Sequence, residues 1–559
     1  MKDFARWVRF ACCALPLGLT ACNGGGNEPA TPSALVAASL PRVLPAIVLP
    51  APAAIDPQTM VSATSPFAGG CDRENIGGTL FINAEVEPFL AIHPTDPQRR
   101  VGVWQQDRWS NGSSRGVMSA TSFDGGQTWT RRPIPFSRCG GGGTAANGGD
   151  FGRVSNPWVA YGSNGVVHAV GLASSGAIFQ NGSDNAIVAS RSLDDGITWS
   201  NPIALIRDGR GFFNDKDAII ADPQNPNLVY AVWDRLVAGD NGGPTWFARS
   251  SNSGASWEPA KPIYDPGPRS QTISNVTVVS RSGALVVMFV QIDYDLGNRA
   301  RVAVVRSFDK GTTWTAPVFI ADLLSVGTRD PNSGQPVRDQ SIIPTVSAAP
   351  NGAVYVVWQD SRFDGGARDA IVISRSLDDG GSWTPPARVS TAANVAAFNP
   401  AVHVRADGTI GVSYYDFRSD GAAATLLTDT WLARSSDGGR SWTESRIADP
   451  FDLALAPRTT LGYFLGDYQG LTSHGTVFVP FFAKANNADT TNRTDIFHEA
   501  AVSAVANPAG HLRTDCGPPQ RRPSATMNAD AIKARIAGNV LRARQERLPE
   551  TTPDRPANL

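Results

Sequence analysis

The chain has 559 residues, 42% of them apolar and 18% charged, with 55 Gly, 41 Pro and 14 Trp. That mixture suits many short strands joined by tight turns and argues against a helical protein. A formal net charge of −1 supplies no pull toward nucleic acid or an anionic membrane, so neither is an expected partner of the folded part.

Lys2, Arg6 and Arg9 make a basic start, and the apolar run Phe10 to Leu19 that follows is too short to span a bilayer. This is the pattern of a secretory signal. The run ends Leu19-Thr20-Ala21-Cys22, which resembles the bacterial lipobox. The resemblance implies a diacylated Cys22 at the mature N-terminus and attachment to the membrane through lipid alone. A plain signal with a chance cysteine is the alternative. Asn23 after the cysteine is similar to outer-membrane sorting in Gram-negative families, so the expected location is the cell envelope, at the outer membrane or cell surface. Residues 1–22 are thus a signal peptide, and residues 23–70, rich in Ala, Pro and Gly, read as an extended tether. With Cys12 and Cys13 in the signal and Cys22 on lipid, Cys71, Cys139 and Cys516 remain, enough for one disulfide in an oxidising envelope. Cys71 and Cys516 bracket the repeat region, and a ring would bring them together, so Cys71–Cys516 is the expected pair.

Six segments share Ser-x-Asp-x-Gly-x-(Ser/Thr)-Trp: SFDGGQTW, SLDDGITW, SSNSGASW, SFDKGTTW, SLDDGGSW and SSDGGRSW, beginning at Ser122, Ser192, Ser250, Ser307, Ser376 and Ser435. Only the third departs, with Asn252 in place of Asp. Their tryptophans are spaced by 70, 58, 57, 69 and 59 residues, a period of one sheet per repeat. Asp and Ser side chains of such a segment satisfy turn N–H groups, Gly supplies a positive φ, and Trp opens the next strand. These residues resemble the Asp box, or BNR repeat, of the sialidase superfamily over roughly residues 80 to 505. The resemblance implies an all-β fold, a β-propeller of four-stranded antiparallel blades. Six units start near 87, 156, 217, 273, 343 and 398, and a seventh, from about 466 to 505, has three strands and no box. Thr79–Asn83 is the candidate for its missing fourth strand, which would close the ring and hide sheet edges. Seven blades are counted, with six as the alternative, over residues 71–510. Residues 511–559 form a tail in which a helix near 528–545, with Ile532, Ile536 and Val540 on one face, is expected to dock on the propeller.

In a four-stranded up-and-down blade all Asp boxes lie on one face, and the ends of second strands lie on the other. That second face carries Asp107-Arg108, Asp234-Arg235, Asp360 with Arg362, and Asp416 with Arg418, together with Glu87, Asp217, Asp339 and Asp467-Tyr468. Arg108, Arg235, Arg362 and Arg418 are the candidate substrate-binding residues, since guanidinium groups bind a carboxylate bidentately. The family resemblance implies a sugar carboxylate held by arginines, an Asp acid/base, and a Tyr nucleophile paired with Glu. Carried onto this chain, the acid is Asp107 or Asp360 and the nucleophile pair is Tyr468 with Glu87. The competing reading is that Asp and Arg two or three apart form local ion pairs pinning loops. The (Phe/Tyr)-Arg-Ile-Pro signature of the family's first arginine is absent, and Arg132-Pro133-Ile134-Pro135 follows the first box instead. No metal or other cofactor is expected. Asn214-Asp215-Lys216-Asp217 has the oxygen donors a Ca²⁺ site would use, as ordinary solvated turns also do, and the six His show no zinc spacing. The expected activity is a surface-anchored, sialidase-like glycoside hydrolase acting on terminal acidic sugars of a glycan or glycoprotein. The alternative is a non-catalytic propeller binding glycan or protein, and a monomer is expected in either case.

Overall fold

Antiparallel strands dominate residues 58–239, 242–487, 489–499 and 529–545, which are those that the computed structural model of the chain describes. Cys22, the signal and Cys516 lie outside the described residues. All of the described residues belong to one compact unit.

Six groups of four antiparallel strands, each called a sheet, follow one another, with first strands Leu80–Ile92, Arg153–Tyr161, Phe212–Ala221, Ser270–Val279, Thr345–Ala348 and Ala397–Val404. The first two are joined, through single backbone pairings and together with the strands at the chain's end, into one twelve-stranded sheet, and the other four are separate four-stranded sheets. Second strands are the most apolar, as in Leu285–Asp293, LVVMFVQID, where every residue is buried. A run covered on both faces loses the polar alternation of a half-exposed strand. The seventh sheet contains Gly470–His474, Val477–Ala485 and Thr494–Glu499. Its fourth strand is Gln58–Met60, antiparallel to Thr494–Glu499 with Gln58 opposite Glu499. This corrects the expectation for Thr79–Asn83, which instead falls at the start of the first sheet's own first strand. It also moves the boundary of the folded part, because Val61 and Ser62, counted as tether, are fully buried. First strands touch in cyclic order, each against the next, and that of the seventh sheet touches that of the first.

The boxes work as the turn chemistry requires. In the second, Ser192 Oγ accepts from Gly196 N at 2.7 Å, while Asp194 accepts from Thr198 N at 2.9 Å and Thr198 Oγ1 at 2.7 Å. Gly196 takes φ +83°, a conformation that a Cβ would strain. In the third box Asn252 keeps the geometry by reversing one bond: its Nδ2 donates to Ser256 Oγ at 2.8 Å. Each box packs on the preceding sheet, as the glycines show: Gly196 meets Val101, Gly254 meets His168, Gly311 meets Phe247 and Gly380 meets Val286. The first box packs on the seventh sheet, with Gly126 against His498.

Two long connections between sheets, before the fifth and before the seventh, meet in a small separate sheet. Val337–Arg338 pairs parallel with Gly462–Phe464, which pairs antiparallel with Arg458–Thr459. The helix, Ala529–Gln545, covers the same side: Asn539 donates to Ser325 O at 3.1 Å, Val540 is fully buried and Ile532 lies against Gly366. That is the docking expected of the Ile532/Ile536/Val540 stripe.

The disulfide is Cys71–Cys139, with Cα atoms 5.1 Å apart, and not Cys71–Cys516. Cys71 follows the buried N-terminal segment and Cys139 lies in the connection between the first and second sheets. The two loops are further tied by Arg138, which donates to Asp150 at 2.7 Å and Asp72 O at 3.0 Å.

Candidate functional site

Five first strands carry the same irregularity at the same level: a register shift with a non-glycine residue in the left-handed region. These residues are Glu87 (φ +56°), Asn156 (+52°), Lys216 (+49°), Ser274 (+65°) and Asn399 (+53°). A bulge of this kind re-aims a side chain, and these five bring polar groups of neighbouring first strands together. Asn156 N donates to Glu87 Oε2 at 3.2 Å and Asn156 Nδ2 to Asp215 at 2.9 Å. Lys216 Nζ donates to Asp467 at 2.8 Å, and Arg338 grips the same carboxylate bidentately at 3.0 and 2.5 Å. Asn399 Nδ2 donates to Gly466 O at 2.9 Å.

The small separate sheet roofs this cluster. It contributes Arg338 directly, and its Phe464 ring lies 4.4 Å from the Arg338 guanidinium and 4.7 Å from that of Arg108. Leu465 O accepts from Glu87 N at 3.1 Å. Burial pulls the Arg338 and Lys216 pKa values down, but Asp467 and the acids around it outweigh burial and both end raised. Arg108, buried and repelled by Arg338, is lowered to about 9. Burial, reinforced by Asp467, raises Glu87. Burial also lifts Asp217 far above the usual carboxylate range, and neither of its oxygens has a hydrogen-bond partner. Tyr468 is pushed well up by burial and then by Glu87, and its hydroxyl donates to Pro157 O at 2.8 Å. Beside Lys216, Asp217, Tyr468 and Trp158 remains a cavity of about 20 Å³, room for roughly one water molecule.

Of the residues chosen from sequence, Glu87, Tyr468 and Arg108 come together here. The others do not. Asp107 accepts from Asn83 N at 2.9 Å and Ser65 Oγ at 2.7 Å, holding the N-terminal segment. Asp360 is clamped by Arg362 through two bonds of 2.7 Å and also accepts from Trp358. Arg418 pairs with Asp416 and Glu444 and stacks on Trp431 at 3.6 Å. Arg235 pairs with Asp208 of the neighbouring sheet at 2.8 and 2.6 Å and lies 3.5 Å over Phe212. Arg235, Arg362 and Arg418 are therefore local pins, and the expected arginine cluster is replaced by Arg108, Arg338 and Lys216. Asn214–Asp217 is a buried strand segment, not a solvated acidic loop: the Lys216 ammonium supplies the positive charge among its acids. The signal available in sequence was Glu87-Pro88, Asn156-Pro157 and Asn399-Pro400, since proline inside a strand pattern marks a bulge. Away from the centre, a hollow of about 260 Å³ lies against Trp104, Met118 and Arg131 of the first sheet.

No protein-family model and no curated protein sequence matches the chain. Among solved structures it is similar to a Hadza microbial sialidase, at 14% identity over 72% of this chain and 76% of that one, with a TM-score of 0.42. A protein of unknown function from Dyadobacter fermentans is 13% identical over 77% of this chain and 97% of its own, with a TM-score of 0.41. A Trypanosoma rangeli sialidase in complex with sialic acid is 13% identical over 73% and 59%, with a TM-score of 0.39.

Proposed function

We propose that this chain is a lipid-anchored envelope protein of the sialidase-like superfamily whose seven sheets close into a β-propeller, and that it binds a glycan or protein ligand at the cell surface without turning it over at its axis. The cyclic contacts of the first strands and the packing of the first box on His498 support closure. The Cys71–Cys139 disulfide supports an oxidising compartment, in line with the signal and lipobox at Cys22. One observation carries the non-catalytic reading: Asp467 already occupies the grip of Arg338 and Lys216 that an external carboxylate would need. A cavity of about 20 Å³ also leaves no room for a sugar ring. The test is a fluorogenic sialoside between roughly pH 4 and 8, the range where carboxylate acid/base pairs usually work, followed by a glycan array. No turnover with array binding is the expected result, and sustained turnover overturns it.

A second reading, sialidase-like hydrolysis of terminal acidic sugars, is favoured by Asp217: a carboxyl lifted by burial well above the usual carboxylate range, beside Tyr468 and Glu87. It requires the roofing sheet to open. Under it, Asp217→Asn and Tyr468→Phe abolish sialoside turnover, while Arg235→Ala, Arg362→Ala and Asp107→Asn act through stability alone.

A further inference from the structure

We infer that the Asp-box face is the surface this protein lays against a zwitterionic phospholipid bilayer. The inference rests on the lipid-anchor reading of Cys22 and is independent of what happens at the axis. Its first ground is the residue after the box serine. In four of the six boxes it is a large apolar side chain left in solvent: Phe123 (53% exposed), Leu193 (72%), Phe308 (62%) and Leu377 (70%). Among the described residues nine large apolar side chains are exposed, and these four share one motif position. Scattered single apolar residues are ordinary on a surface. A repeat of the same position on one face is not scatter.

The second ground is where the chain comes from. Third strands of the first six sheets end at the box serine, so their C-terminal ends mark the box face. The seventh sheet's third strand ends at Glu499, and its His498 touches Gly126 of the first box, so Glu499 is on that face too. Gln58 pairs with Glu499. The polypeptide leading from the anchor at Cys22, 36 positions upstream of Gln58, therefore enters at the box face, where a seventh box would otherwise stand. The described chain thus begins, at Gln58, on the side that carries the apolar tips, while the roofing sheet and the helix cover the other.

Charge selects the lipid. Asp124, Asp194, Asp309 and Asp378, next but one to the serine in these boxes, are held by their own turns, the first half-buried and the other three exposed. Arg191, Arg306, Arg375 and Lys310 stand at the same turns, with Arg306 5.5 Å from the Phe308 ring, so acids and bases are interspersed around the tips and no excess of one sign draws an anionic surface. Apolar tips in such a setting fit the interface of a neutral one.

The experiment uses the full chain, acylated and reconstituted into phosphatidylcholine vesicles, with Cys516→Ser as background. An environment-sensitive thiol dye is attached through Leu193→Cys, Leu377→Cys or Leu296→Cys, the last in a turn on the opposite side. Dye at positions 193 and 377 is expected to brighten severalfold and to be quenched by headgroup-depth spin-labelled lipid, with position 296 unchanged. Equal response at all three positions on a chain that co-floats with vesicles overturns the proposal and leaves the anchor intact. If mass spectrometry finds no acyl group on Cys22, the anchor reading falls. The face is then judged with added vesicles, where a variant carrying serine at all four tips should bind at least about tenfold more weakly (about 1.4 kcal/mol), and equal binding refutes it. Brightening with phosphatidylglycerol vesicles but not phosphatidylcholine refutes the choice of a neutral surface.

Discussion

Replacing Lys216 with Met tests whether the centre of the protein is held by charges that saturate one another. Lys216 Nζ lies 2.8 Å from Asp467 and 3.8 Å from Asp215, and all three groups are buried. Met keeps the stem and the Cβ, so the left-handed backbone at φ +49° is strained as before and only the charge is lost. Breaking a buried pair by removing one partner is destabilising by about 3–5 kcal/mol. Unfolding entropy of about 2.1 cal/mol/K per residue, over a folded body of about 440 residues, sums to about 0.9 kcal/mol/K, so the melting temperature should fall by about 3–5 °C. Asp467→Asn alone should fall similarly, because Arg338 then loses its bidentate partner and Lys216 its shorter ion pair. The double variant should lose less than the sum of the two, by about 1–3 kcal/mol of coupling. Scanning calorimetry of the four proteins measures the cycle. A Met variant that melts with the wild type, or strict additivity in the double variant, would show that these groups are held by their surroundings and not by each other.

Cys139→Ser opens a loop of 68 residues; the chain-entropy model gives about 4 kcal/mol, and a non-reducing peptide map should recover the 71–139 link, a 71–516 link being the contrary result. His168 and His403, buried and thereby lowered to about 4, and His498, lowered by burial and by Arg100 to about 3, are bases that fold in the neutral form. Their contribution is present above the unfolded value near 6.5 and lost as pH falls toward 4 and below, so melting temperature should decline over that window and the decline should shrink in His168→Gln and His403→Gln; a profile identical in the variants contradicts the assignment. Asp378→Ala removes the acceptor for Ser382 N and Oγ, both at 2.8 Å, and should destabilise by about 1–2 kcal/mol, while Asp378→Asn, the residue the third box already uses, should lose less; equal losses would mean the Asn252 geometry does not transfer.

The repeating sheets were legible because the box states its own turn chemistry: Ser, Asp and Gly each occupy a position that only a few residues satisfy, and the tryptophan spacing gives the period. The helix was legible as an apolar stripe of period 3.6, Ile532, Ile536 and Val540. The fourth strand of the seventh sheet was not. Gln58–Met60 is three residues long, inside an Ala/Pro-rich stretch, and its partner is more than 430 positions away, so neither periodicity nor composition marks it. The disulfide was misread because nearness of chain ends was weighed above the local loops that bring Cys71 and Cys139 together. At the centre, Glu87 and Tyr468 were found because their sheets are neighbours. Lys216 reads as part of an acidic loop until the bulge that turns it inward is recognised, and Arg338 stands in a long connection whose two-residue strand no periodicity marks.

Those bulges also bear on the proposal that the centre takes no ligand. A non-glycine residue in the left-handed region is unfavourable by roughly 1–2 kcal/mol, and Glu87, Asn156, Lys216, Ser274 and Asn399 all accept it. Their side chains gain partners that a regular strand would not reach. Asn156 bonds across to the acids of the third sheet, Lys216 to Asp467 before the seventh, and Asn399 to the backbone beside it. The strain and the cross-links are one device: sheets that share few backbone hydrogen bonds are joined through polar groups pushed into the ring. A ligand entering from the roofed side would have to break the Arg338–Asp467 grip while the strain remained. Recognition is therefore easier on surfaces the device leaves alone, which is the physical reason to look for this protein's partners at its faces and not at its axis.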